Sequence, residues 1–250
     1  VDLFRWERMT GYYRSFRSLL NNAKKRASNT QLPLFRRSFS LDQLDIKLKS
    51  YIDFTDGFFI EVGANDGISQ SNTLYFEKYM GWKGLLIEAI PDLADKCRQN
   101  RPRCITENYA LVAFDYPEDT IVMNYCNLMS CAQDAFHDEA TARHYIESGI
   151  KYLRENESSY KIQVAARPLS VVLDSHNLNH IDLLSLDVEG YEVEVLRGID
   201  FDRHAPNYLL IEVRPEHKKN IEEIIGKKYN VLDVLNSNEL YSDILYSLQE

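Results

Sequence analysis

The chain has 250 residues, 44% hydrophobic and 12% aromatic, enough for one well-buried domain with or without an extension. Its formal net charge of −9 argues against a general nucleic-acid binder, whose phosphate contacts need a basic surface. No apolar run approaches the roughly 20 residues of a membrane span, and the opening VDLFRWERMT lacks the apolar core of a signal peptide. Cys97, Cys104, Cys126 and Cys131 form no C-x-x-C pair and read as free thiols of a reducing compartment, so a cytoplasmic location is expected.

In chain order, residues 1–40 hold nine Lys/Arg against two Asp/Glu, with Phe4, Trp6, Tyr12, Tyr13 and Phe16 among their aromatics. They read as a basic, aromatic extension on an acidic domain spanning 41–250. Leu41, Leu44, Leu48 and Tyr51/Ile52 have helical spacing. Asp56-Gly57 breaks it, and strands are predicted at 58–62, 84–90 and 104–112, with helices at 71–80 and 91–100 between them. Later apolar runs at 181–187 and 208–213, a helix near 216–228 and a hairpin over 229–248 complete the pattern. Strands alternating with helices in this rhythm predict an α/β fold: a mostly parallel seven-stranded sheet with a reversed C-terminal edge strand.

Residues 114–164 depart from the rhythm. They contain a polar-apolar stretch at 120–132 and a helical pattern from Ala135 to about Arg154. Insertions of this size commonly cover the sheet edge where ligands bind, so this one is read as a substrate cap.

The strongest local signal is Glu61-Val62-Gly63-Ala64-Asn65-Asp66-Gly67, which follows a strand and precedes a helix. Gly63 and Gly67 allow a tight turn and close approach of a ligand to the backbone. A dinucleotide site would carry G-x-G-x-x-G and would not place Asp66 beside a pyrophosphate. An acidic turn suits the ammonium and sulfonium of S-adenosylmethionine. Glu88, next to Ala89 and 25 positions after Gly63, is spaced to accept hydrogen bonds from ribose hydroxyls. Asn108, Tyr109 and Ala110 are placed to meet adenine.

Three stretches, FIEVGANDGISQSNT (59–73), GLLIEAIP (84–91) and IDLLSLDVEGYEVEVLRGIDF (181–201), resemble the FkbM-type methyltransferases; the likeness covers about 55–215 without the insertion. The resemblance implies a Rossmann-like class I methyltransferase fold and S-adenosylmethionine-dependent O-methylation, often of sugars, glycans or other hydroxyl-bearing small molecules. It also implies that Ser71, Asn72 and Thr73 help close the cofactor pocket. Fusion to or association with a glycosyltransferase is compatible with a glycan acceptor.

A sugar hydroxyl is a weak acid, so a base or a metal is expected beside it. Asp187, Glu189 and Glu212 end strands at the ligand-binding edge and together form a candidate Mg²⁺ or Mn²⁺ site. Two other readings stand beside it: Asp187 as a metal-free general base, and Glu189 as the cap of the helix that follows Gly190. His137 and His144, seven apart in the insertion, are candidates for a base delivered by the cap, His137 foremost. Arg143 and Lys151 suit an acidic sugar or phosphate, and Tyr191 suits stacking on a sugar ring. An NAD-type oxidoreductase and a non-catalytic binding domain are the alternative functions. The missing G-x-G-x-x-G counts against the first and the intact acidic set against the second.

Overall fold

The computed structural model describes residues 38–136, 139–151 and 153–249, so the extension over 1–37 and His137 lie outside the described residues. Residues 38–40 pack against the start of the domain. Ser38 Oγ and Ser40 Oγ donate to Asp45 Oδ1 at 2.6 and 3.0 Å, and the Phe39 N–H donates to Oδ2 at 2.7 Å. The first predicted helix is broken: a 3₁₀ turn (Leu41–Gln43) meets α1 (Leu44–Leu48) across left-handed residues Asp42 and Gln43. Leu44, Leu48 and Ile52 are nevertheless buried, so the apolar spacing served packing rather than one long helix.

Beyond it come β1 (Phe58–Val62), α2 (Leu74–Met80), β2 (Lys83–Ile87), α3 (Pro91–Asn100) and β3 (Ile105–Glu107). After the insertion follow α5 (Leu169–Ser175), β8 (Leu183–Leu186), α6 (Glu192–Leu196), β9 (Tyr208–Val213), α7 (Lys218–Ile225), β10 (Tyr229–Ser237) and β11 (Ser242–Leu248). The central sheet has seven strands in the order β10-β11-β9-β8-β1-β2-β3. β1, β2, β3, β8 and β9 pair in parallel, whereas β11 runs antiparallel to both β9 and β10. The hairpin thus closes one edge, and its reversed strand, the C-terminal one, sits one place in from that edge.

The parallel strands are apolar on both faces because each face carries helices. One face buries Leu173, Leu196, Ile221 and Ile225 against Ile60, Leu184 and Leu209. The other packs Leu48, Phe76 and Trp82 against Phe59, Leu86 and Leu245. Strand order reverses between β1 and β8, and the crevice beyond their carboxyl ends is where an open α/β sheet binds ligands.

The predicted third strand divides. β3 stays beside β2, while β4 (Ala110–Leu111) leaves to pair with β7 (Tyr160–Arg167). Asn108 makes the break: its Nδ2 donates to the carbonyls of Glu88 and Ala89, both at 2.8 Å. The polar-apolar stretch of the insertion becomes β5 (Thr120–Tyr125) and β6 (Cys131–Ala132), giving a second sheet in the order β4-β7-β5-β6. The helical pattern shortens to α4 (Glu139–Ile150). Ile121, Val164 and Ala166 join Ile90, Leu93 and Tyr191 in a third core, so the insertion is packed onto the sheet end. All four cysteines are free, and no described helix is long and apolar enough to cross a membrane.

Candidate active site

A pocket lies at the crevice between β1 and β8. Its walls include the β1 turn (Gly63–Asn65), Glu88 and Ala89 after β2, Tyr109–Leu111, and Asp187–Glu189 after β8. The insertion contributes Met123, Asn127, Leu128, Ser130 and Ala132, so it roofs the same pocket.

Gly63 is demanded twice over. Its φ is +80°, and a Cβ there would stand 1.9 Å from the Asp187 carbonyl oxygen. The Asp187 N–H in turn donates to the Val62 carbonyl at 3.3 Å, which joins the two strand ends across the crevice.

Glu88 is buried, with Oε2 accepting the Asn65 N–H at 2.8 Å and Oε1 the Ile90 N–H at 2.9 Å. Burial pushes its carboxyl up to about 7 against the pull of these hydrogen bonds. Both oxygens keep lone pairs for hydroxyl donors.

Glu61 lines the pocket, but its oxygens are engaged. Ser71 Oγ and Thr73 Oγ1 donate to Oε2 at 2.8 and 2.7 Å, and the Asn72 N–H donates to Oε1 at 2.7 Å. The fully buried Arg101 bridges Glu61, at 3.1 Å, to Glu77. Glu61 therefore positions the Ser71–Thr73 turn, and Thr73 lies behind the wall. Asn72 does face the pocket. Its Nδ2 donates to Ser185 Oγ at 3.1 Å, leaving a buried Oδ1 with no partner. That acceptor fits the ammonium of an amino-acid moiety.

Asp66 differs from the sequence expectation. It turns away from the wall, accepting the Ile68 and Ser69 N–H groups at 3.0 and 2.7 Å and Arg154 Nη2 of the insertion at 3.3 Å. Burial acts to raise its carboxyl, and those bonds outweigh it to leave a net lowering. Gly67 and Asn108 also stand off the wall, whereas Tyr109 and Ala110, expected beside Asn108, do line it.

The acidic residues after β8 separate into two groups. Glu189 accepts from Tyr145 of α4 and from Arg214 Nη2, the latter at 3.2 Å. Arg214 lies against the rings of Phe136 and Tyr145, 5.6 and 5.2 Å from their centroids. This knot ties the insertion to the sheet, and Glu189 caps no helix. Glu192 accepts the loop N–H groups instead, Val188 and Gly190 both at 3.1 Å. Asp187 and Glu212 come together with Glu192, one oxygen of each lying within 4.8 Å of the others. The described side chains thus group Glu192, rather than Glu189, with Asp187 and Glu212. Asp187 opens into the cleft, yet enclosure by its walls and then the neighbouring Glu189, Asp243 and Glu192 carboxylates raise it well above the usual range. Burial and then Asp187 do the same to Glu212.

A family model described as the methyltransferase FkbM domain matches residues 61–245. The chain belongs to that family. It is a methyltransferase, and the matched range reaches through the insertion and the C-terminal hairpin, beyond the 55–215 span of the quoted motifs. Among solved structures it is similar to the methyltransferase FkbM of Methylobacillus flagellatus KT, at 14% identity and TM-score 0.46 over 86% of this chain and 45% of that one. A TehB-like methyltransferase of Corynebacterium glutamicum shares 11% identity at TM-score 0.42, over 96% and 97% of the two chains. A human methyltransferase 10 domain containing protein shares 11% identity at TM-score 0.47, over 87% of each. A search of curated proteins finds no match.

Within the FkbM domain, sequence reasoning missed Glu192, Arg214, Tyr145 and Arg101 as structural parts of the site. Glu192 had a signal, as the second glutamate of D-V-E-G-Y-E. The two arginines had none, because each meets carboxylates far away in the chain. Tyr191 does line the pocket. Tyr125 stacks on Tyr160 at 4.8 Å, and His144, Arg143 and Lys151 lie on exposed parts of the insertion, outside the pocket lining.

Proposed function

We propose that this methyltransferase transfers the methyl group to a hydroxyl, that of a sugar or other glycan unit. The observation that carries the reading is the pairing, across one roofed crevice, of a cofactor cradle with the raised carboxyl of Asp187. Glu88 would receive the ribose hydroxyls, Asn72 Oδ1 the ammonium, and Ala89, Tyr109 and Ala110 the adenine. The bound donor supplies an electrophilic methyl on sulfonium, already activated.

What this chain adds is placement and a proton acceptor. Asp187 accepts the hydrogen bond of the acceptor hydroxyl and takes its proton as the new oxygen–carbon bond forms. A carboxyl raised above its ordinary value is the better base for so weak an acid. Tyr191 and the pocket residues of β5 and β6 shape the acceptor side, where an aromatic face suits a sugar ring. Charge favours a neutral acceptor over an acidic one, since Glu189 already engages Arg214.

The test is Asp187→Asn. Methylation of a panel of glycans, followed by mass spectrometry, is expected to fall about 10²–10⁴-fold with S-adenosylhomocysteine affinity retained. Undiminished turnover in that variant removes Asp187 from the reaction. Methyl transfer to nitrogen or carbon acceptors alone removes the hydroxyl.

A further inference from the structure

We infer that Asp187, Glu192 and Glu212 bind one hard divalent cation of the Mg²⁺ or Mn²⁺ class at the acceptor edge of the pocket. The inference rests on the methyl-transfer reading of that pocket and adds a partner to it. One carboxylate oxygen from each residue lies within 4.8 Å of the other two. Three oxygens spread evenly around an ion bound at about 2.1–2.6 Å lie about 3.6–4.5 Å apart, so side chains gathered within that limit can close on such an ion. The donors come from the end of β8, the first residue of α6 and β9, and the sheet topology alone gathers them. All three are oxygen ligands, which selects hard cations over thiophilic metals.

A second, independent feature points the same way. Glu192 is fully buried, and while its Oε1 is held by two backbone N–H groups, its Oε2 has no hydrogen-bond partner. His217 Nδ1, at 3.9 Å, is within ion-pair range of it but beyond hydrogen-bond distance. Asp187 and Glu212 likewise accept no hydrogen bond from the described residues. Arg214, the cation within reach, is committed to Glu189 and Tyr145. A buried carboxylate oxygen without a donor, as Glu192 Oε2 is, calls for a positive charge. Among the described residues, Asp187, Glu189, Glu192, Glu212 and Asp243 face the cationic side chains of Arg214 and Lys47 and the imidazole of His217, so negative charge is in excess. Such an ion would orient the acceptor oxygen and lower the pKa of its hydroxyl.

The experiment titrates Mn²⁺ alone into the full chain, following the signal of free Mn²⁺ by electron paramagnetic resonance, which needs no turnover. One equivalent is expected to bind, at least tenfold more weakly in both Glu192→Gln and Glu212→Gln. S-adenosylhomocysteine binding in each variant reports an intact fold. Glu212→Gln keeps the test decisive if loss of the Glu192 loop contacts unfolds the chain. No binding at millimolar Mn²⁺, or unaltered affinity in a folded variant, overturns the cation site. If S-adenosylhomocysteine still binds then, the methyl-transfer reading survives with Asp187 as an unaided base. If Mn²⁺ binds but S-adenosylhomocysteine does not, that reading fails and the cation site stands.

Discussion

Raising the pH from about 5.5 to about 8.5 is expected to tighten S-adenosylhomocysteine binding about 30-fold, because Glu88 must be ionised to accept both ribose hydroxyls. Burial between the β1 turn and α3 pushes this carboxyl up to about 7. Below that value the protein is mostly in the protonated form, which offers one acceptor fewer, and affinity falls about tenfold for each pH unit. Over the whole interval from about 8.5 to about 5.5 this amounts to roughly 2 kcal/mol of binding free energy. The effect on folding has the opposite sense. A carboxyl raised in the fold binds its proton more tightly than in the unfolded chain, so its contribution to stability is present at acid pH. That contribution is lost as pH rises from the ordinary glutamate value toward about 7, a change of about 3 kcal/mol from this group. Isothermal titration calorimetry across the pH range measures the affinity, and repeating it in buffers of different ionisation enthalpy measures the proton released. Glu88→Gln is expected to bind weakly and to flatten the dependence, which separates Glu88 from ionisations of the ligand. An affinity independent of pH in the parent protein, or an unchanged slope in the variant, refutes the ribose role.

Three other outcomes test the scaffold. Gly63→Ala forces a side chain into a left-handed backbone and against the Asp187 carbonyl, so urea denaturation is expected to show a loss of about 2–5 kcal/mol. Near-parent stability there would mean that the two loops are not packed as described. Arg101→Met leaves buried Glu61 without a cation and Glu77 with only the exposed Arg103 at 3.3 Å, and a loss of about 3–5 kcal/mol is expected from denaturant midpoints. A variant as stable as the parent would show that the cluster tolerates the missing cation. Arg154→Ala removes a half-exposed ion pair to Asp66 and is expected to lower global stability by no more than about 1 kcal/mol. Faster hydrogen exchange over residues 126–157 is expected in that variant, and unaltered exchange would show that Arg154 does not hold the roof in place.

Much of the scaffold was legible because it is written locally. Phe58–Val62 running into Gly63 and Gly67, the helix at 91–100, and the placement of Glu88 and Asp187 after apolar runs follow from patterns a few residues long. Periodicity names the strands, and the ends of parallel strands gather at one edge of the sheet. The sequence therefore determined which carboxylates reach that edge. Only the tertiary structure decided what each one faces. Left-handed Glu189 and Gly190 swing the chain so that Glu189 crosses to Arg214, while Glu192 turns back beneath the loop. Asp66 folds onto its own turn and the insertion, and Asn108 diverts the chain into a second sheet. Arg101 reaches Glu61 from 40 residues away, and Arg214 meets Tyr145 across 69. Such partners are set by how strands and the insertion pack in three dimensions, and no short-range pattern carries that information.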